Sequence, residues 1–298
     1  MSSIALVTDS TASLPVEVVE RYDIIVVPLQ VVVGATSYDE GVEGGATAET
    51  VAAALREWTP VNTSRPSPAA MLEVYEKAAA SGATGIVSVH LSSELSGTYE
   101  SAQLAARESS VPVVTVDSRA LGMATGFAVV SAAEVLAAGG TAQDAAEVVR
   151  RRTAETTSLF YVDTLEYLRR GGRIGPAAAL LGSALAVKPL LQLKDGHVQM
   201  REKVRTAGRA LNRLEELAVA AADGHKVDVA VAHLANPDRA SQLAEHLTQR
   251  LAEHLEGREV VLGEVGAVIG AHVGPGMVAV MVAPRPQEYD AGGSSTGG

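Results

Sequence analysis

The chain has no cysteine. Disulfides, thiolate metal sites and a cysteine nucleophile are therefore excluded, and the composition fits the cytoplasm. Aromatic residues make up only 3% of the 298 residues, too few for base-stacking platforms. Basic residues are short too: 24 Lys and Arg stand against 35 Asp and Glu, a formal charge of −11. Affinity for nucleic acid comes largely from neutralising phosphates, so no nucleic-acid partner is expected. Long hydrophobic runs are missing. The apolar stretch at residues 24–33 is far shorter than the ~20 residues that span a bilayer. Residues 1–4 show no basic segment leading into an apolar one, so no secretory signal is expected. The reading is a cytoplasmic protein, with transient membrane contact as its closest approach to lipid surfaces.

Familiar catalytic signatures are absent as well. There is no Gly-x-x-x-x-Gly-Lys-Ser/Thr phosphate loop, no Gly-x-Gly-x-x-Gly after the first strand and no Gly-x-Ser-x-Gly elbow.

What is present is strand–helix alternation. Apolar strands are predicted at residues 4–8, 24–33, 85–91 and 111–116, with helices between them capped by Ser67-Pro68 and Thr141. Continuous apolar strands imply a parallel sheet covered on both faces. Ligands in such sheets sit beyond the carboxyl ends of the strands. Three strands here end on Asp9-Ser10-Thr11, Ser92-Ser93 and Asp117-Ser118. After residue 155 the pattern changes. Asp195-Gly196 is a hairpin turn between two apolar runs, and helices and strands are mixed. The expected architecture is α/β: an N-terminal Rossmann-like three-layer domain over residues 1–155, then an α+β domain over 156–285, with ligand between them. Residues 286–298 read as a disordered Gly/Ser tail.

Several clusters could carry chemistry. Ser92-Ser93-Glu94-Leu95-Ser96-Gly97-Thr98 joins a strand to a helix start, where hydroxyls and free amides bind anions; plain helix capping is the competing reading. Asn62-Thr63-Ser64-Arg65-Pro66-Ser67 reads as a loop stiffened by proline. Asp9 suits a metal, a ribose or a loop-bracing role, but further carboxylates at magnesium-site spacing are missing. Residues 171–175, around Arg173, look like backbone that must approach something closely, with a flexible solvated turn as the alternative. His272 lies in the Gly-rich segment 270–276, as a proton donor or a satisfied structural histidine.

In their order, these pieces resemble the DegV family of bacterial fatty-acid-binding proteins. The resemblance runs from Val7-Thr8-Asp9-Ser10-Thr11 through Thr63-Ser64-x-Pro66-Ser67, Ser92-Ser93-x-Leu95-Ser96-Gly97-Thr98-Tyr99 and Asp117-Ser118. It continues through residues 168–174, Lys188-Pro189, Lys203-Val204-Arg205-Thr206 and Gly270-x-His272-x-Gly274-x-Gly276. It implies two lobes with one long-chain fatty acid between them, no other cofactor and no metal. Its carboxylate would meet Thr63, Ser64, Ser93 and Ser96, with Gly97 and Thr98 supplying amides and His272 nearby. The resemblance also implies a separate fatty acid kinase that phosphorylates the bound acid to an acyl phosphate for phospholipid synthesis. Arg173 would face that partner. The chain itself would be a carrier and not an enzyme. Two positions depart from the family pattern: Glu94 stands where a small residue is expected, and Arg65 where a neutral residue is common.

Two other classes stay open on the residues alone. One is a small-molecule phosphotransferase using Asp9, Ser93 and His272. The other is an interaction module with an acidic surface.

Overall fold

The computed structural model describes residues 3–175 and 188–286. Of the predicted tail at residues 286–298, residues 287–298 lie outside the described residues.

The first sheet is built from β1 (Ile4–Asp9), β2 (Ile25–Val27), β6 (Gly85–His90) and β7 (Val113–Asp117). All pairs are parallel, in the order β2-β1-β6-β7. Every residue of β6 is buried, as expected for a strand covered on both faces. The order reverses between β1 and β6, so the loops after those strands flank a crevice.

Residues 24–33 do not form one strand, as their apolar character predicts. Pro28 divides them. Proline has no amide to donate and cannot continue a ladder. Val27 ends β2 beside Asp9, while Gln30–Val33 forms β3 in a separate antiparallel sheet with β4 (Thr36–Asp39) and β5 (Val61–Ser64). The last two are polar strands with no apolar signature. The Thr63-Ser64 segment, expected as a loop, is therefore part of a strand.

A second large sheet has the order β10-β9-β8-β13-β11-β12. Its strands are β8 (Thr157–Tyr161), β9 (Lys188–Lys194), β10 (His197–Val204), β11 (Val227–His233), β12 (Val261–Glu264) and β13 (Val278–Pro284). Only the β11–β12 pair is parallel. Asp195 and Gly196 both adopt positive φ at the β9–β10 turn, the conformation that the dipeptide predicts.

Helix α1 (Val16–Arg21) follows β1, and α2 (Ala48–Arg56) lies between β4 and β5 of the small sheet. Helices α3 (Pro68–Ala80) and α4 (Thr98–Ala106) cover one face of the first sheet; α5 (Met123–Ala137) and α6 (Ala142–Glu155) cover the other. The short α7 (Glu166–Arg170) ends just before residues 171–175. Helices α8 (Ala207–Ala221) and α9 (Pro237–Arg250), followed by α10 (Ala252–Leu255), lie on the outer face of the second sheet. Helix α11 (Ala267–Val273) packs on α2, β3 and β5.

Helix α5 is buried almost all round. Ala128, Val129 and Ala132 face the first sheet's core, while Met123, Ala124 and Phe127 join Leu191, Ala279 and Met281 of the second. An ion pair crosses the same boundary. Arg152 on α6 meets Asp228 on β11 and donates to the Phe127 carbonyl and the Ser131 hydroxyl. No helix among the described residues is long and apolar enough to cross a membrane.

Candidate functional site

A cavity of about 730 Å³ lies between the two large sheets. One wall is the inner face of the second sheet, with Phe160, Leu193, Ala279 and Met281. Opposite lie Leu14, Leu91 and Leu95 from the loops after β1 and β6, with Met123 at the start of α5, and α11 closes a side with Val268, Ile269 and Val273. The apolar lining follows from alternation: strands that bury their outer face under α8 and α9 present alternate side chains inward.

Several polar lining residues gather around Thr63 and His272, while Thr11, Ser13, Ser158 and Glu264 also line the cavity. Along β5, Val61 and Thr63 are more buried than Asn62 and Ser64, so the pleat turns Thr63 inward. Its hydroxyl lies 2.8 Å from His272 Nε2. Ser64, Arg65, Ser96, Gly97 and Arg173 line the same cavity. Arg173 donates through Nε to the Leu95 carbonyl at 3.0 Å and through Nη1 to the Gly171 carbonyl.

His272 sits in the last turn of α11 and not in a Gly-rich turn, because residues 267–271 are apolar enough to continue a buried helix. Burial, and then the Arg173 charge, lower its pKa from 6.5 to about 4, so the ring is neutral near pH 7. Its Nδ1 is buried with no hydrogen-bond partner. The close approach expected of residues 171–175 is to this ring: a Cβ on Gly171 would stand 2.2 Å from His272 Nδ1.

Glu40 gave no functional signal in the sequence, yet it orders the site. Its Oε1 accepts from the Val268 amide at 2.8 Å, at the start of α11. Burial raises its pKa, opposed by hydrogen bonds from Ser10 and Val268. The small sheet and the residue after β4 therefore hold α11 twice, through Glu40 at its start and Thr63 at its end.

The hydroxyl motif divides. Ser96 reaches the cavity. Its Oγ lies 2.9 Å from Thr98 Oγ1 and accepts from the Thr98 amide at 3.3 Å. Thr98 is buried beneath it, and its amide is thereby occupied. Ser93, expected at the ligand, is exposed and points away. Its hydroxyl donates to Asp117 Oδ2 at 2.5 Å and its amide to Oδ1 at 3.2 Å. Asp117 ends the neighbouring β7 and captures the loop. Ser92 is buried but donates to the Gly196 carbonyl at 2.9 Å.

Asp9 is also spoken for. It accepts from the Thr11 hydroxyl at 2.6 Å and amide at 3.1 Å and from the Leu91 amide at 3.0 Å, with His90 Nδ1 at 2.9 Å. Asp9, Ser93 and His272 thus have separate hydrogen-bond partners. Among the described residues no group of three or more His, Asp or Glu could hold a metal ion.

Residues 3–285 match the profile of the family described as "Uncharacterised protein, DegV family". A DegV domain-containing protein of Streptomyces coelicolor is 53% identical over 282 residues, 95% of this chain and 99% of that protein. One of Listeria innocua is 36% identical over 275 residues, 92% and 95% of the two chains. Among solved structures, a DegV family protein from Thermus thermophilus, described for its fatty acid binding, superposes with a TM-score of 0.86 at 35% identity. It covers 95% of this chain and 100% of its own. DegV, a fatty acid binding protein from Bacillus subtilis, gives 0.86 at 31%, covering 96% and 100%.

Proposed function

The chain belongs to the DegV family, and from that premise we propose that it binds one long-chain fatty acid in the cytoplasm without catalysing a reaction itself. The observation that carries the reading is a mostly apolar cavity of about 730 Å³ with a hydroxyl–imidazole–guanidinium cluster in its lining. The acyl chain lies along the second sheet. Each buried methylene contributes about 0.8 kcal/mol, so about fifteen give roughly 12 kcal/mol gross, before association and ordering costs.

The carboxylate meets Thr63, Ser64, Ser96, Gly97 and His272. Ser93 and Thr98 act from behind, anchoring the loop on Asp117 and orienting Ser96. Neutral His272 has one ring proton, so it donates a hydrogen bond to the headgroup network without trapping the carboxylate in a buried ion pair. A carboxylate held by hydroxyls keeps an oxygen available for transfer. The chain then presents it to a fatty acid kinase subunit and carries the acyl phosphate towards phospholipid synthesis. Arg173, beside His272, steadies the phosphoryl group. The lobes that close over the lipid are residues 1–155 and 156–285.

Mass spectrometry of lipid extracted from the purified protein tests the binding. A fatty acid at one per chain is expected; an empty protein that takes up none on incubation rules the reading out. Replacing Thr63 and Ser96 together by Ala is expected to weaken fatty-acid affinity by about ten-fold or more, the size of one to two hydrogen bonds to a charged group. The carrier role is checked by adding a cognate kinase and ATP to the loaded protein and following acyl phosphate.

A further inference from the structure

At the polar end of the cavity, Arg65 differs from the other cation. Arg173 is tied to two backbone carbonyls. Arg65 is held by an ion pair to Glu100 at 3.1 Å, with 51% and 69% of the two side chains exposed. Such exposed pairs contribute at most about 1 kcal/mol. Glu100 also lies in the first turn of α4, where a carboxylate is favoured by the helix dipole even without a cationic partner. Breaking the pair therefore leaves neither charge stranded.

The guanidinium reaches Gly97 with its Nη1 end foremost. A Cβ built on that residue would stand 1.4 Å from Arg65 Nη1 and 2.6 Å from its Cζ. Gly97 and Arg65 both line the cavity, together with Ser64 and Ser96. A loosely held cation is thus laid over the loop that faces the ligand head.

We propose that Arg65 is a movable latch, which exchanges Glu100 for the anionic head of the bound lipid and so selects acids over neutral lipids of the same length. The proposal rests on the fatty-acid reading above. A guanidinium donates equally well to one oxygen of a carboxylate or of a phosphoryl group, so one latch serves both the acid and its acyl phosphate.

The test compares binding of hexadecanoic acid and hexadecan-1-ol to the full chain, to Arg65→Gln, to Glu100→Gln and to the double variant. Arg65→Gln is expected to weaken acid binding by about five-fold, the scale of one partly exposed ion pair, and to leave alcohol binding unchanged. Glu100→Gln frees the latch and strengthens acid binding by about two-fold. The double variant matches Arg65→Gln alone, because Glu100 acts only through Arg65. Equal effects on acid and alcohol, no effect of Arg65→Gln, or weaker acid binding in Glu100→Gln would each overturn the latch. If the unmodified protein binds the acid and only these shifts are missing, the latch alone fails; if it binds neither lipid, the fatty-acid reading fails with it.

Discussion

His272 is where burial and charge meet. In the unfolded chain its ring titrates near 6.5, whereas in the fold it stays neutral down to about 4. Between those values the unfolded state holds the extra proton, so stability falls as pH drops from 6.5 towards 4 and is fully present above 6.5. The shift corresponds to roughly 3 kcal/mol. His272→Asn is expected to remove this part of the slope, read by urea denaturation at about pH 7, 5 and 4; an unchanged slope would contradict it. Gly274 makes a second prediction at this scale. Its φ is 74° and an added Cβ would stand 2.0 Å from the Tyr167 ring. Gly274→Ala is expected to cost about 2 kcal/mol or more, through both strain and overlap, measurable as a fall in Tm. Ser93 and Ser96 mark where the sequence stops being legible. Both are hydroxyls in one motif, and their difference is made by Asp117, 24 residues further along, which draws Ser93 outward.

Elements that announce themselves by apolar patterning emerge as expected. The parallel strands β1, β6 and β7, the hairpin at Asp195-Gly196 and the capped helices α3 and α6 are all readable from local chemistry. The small sheet is not, because Thr36–Asp39 and Val61–Ser64 are polar strands whose pairing is settled by contact with β3. That sheet governs α11. Helix α11 spans only seven residues, so tertiary anchors rather than propensity hold it. Glu40→Ala removes the acceptor at its first turn and is expected to cost about 1–3 kcal/mol. It is also expected to lower fatty-acid affinity by displacing His272. Glu40→Gln keeps an acceptor oxygen and is expected to recover most of both. Calorimetry and lipid titration on the pair check this, and equal behaviour of the two variants would show that the Val268 contact is dispensable.

Across the whole molecule, the cavity exists because two sheets are held apart by one helical layer. Arg152 and Asp228 pin that layer to the second sheet, with Arg258 and Arg285 also on Asp228. Arg152→Ala leaves the Phe127 carbonyl and the Ser131 hydroxyl without their donor in a buried site, at a cost of about 3 kcal/mol. Denaturant midpoints would reveal it, and a loss under about 1 kcal/mol would mean that the layer is held by packing alone. The double burial of α5 also constrains how such proteins are recombined. A chimaera with a single crossover takes the first sheet from one parent and the second from another. Wherever the junction falls, α5 then keeps one native neighbour and meets one foreign one, Met281 and Leu191 on one side or Val87 and Val116 on the other. Lipid preference in this architecture is therefore expected to diverge through point substitutions in the lining, with the two halves inherited as a matched pair.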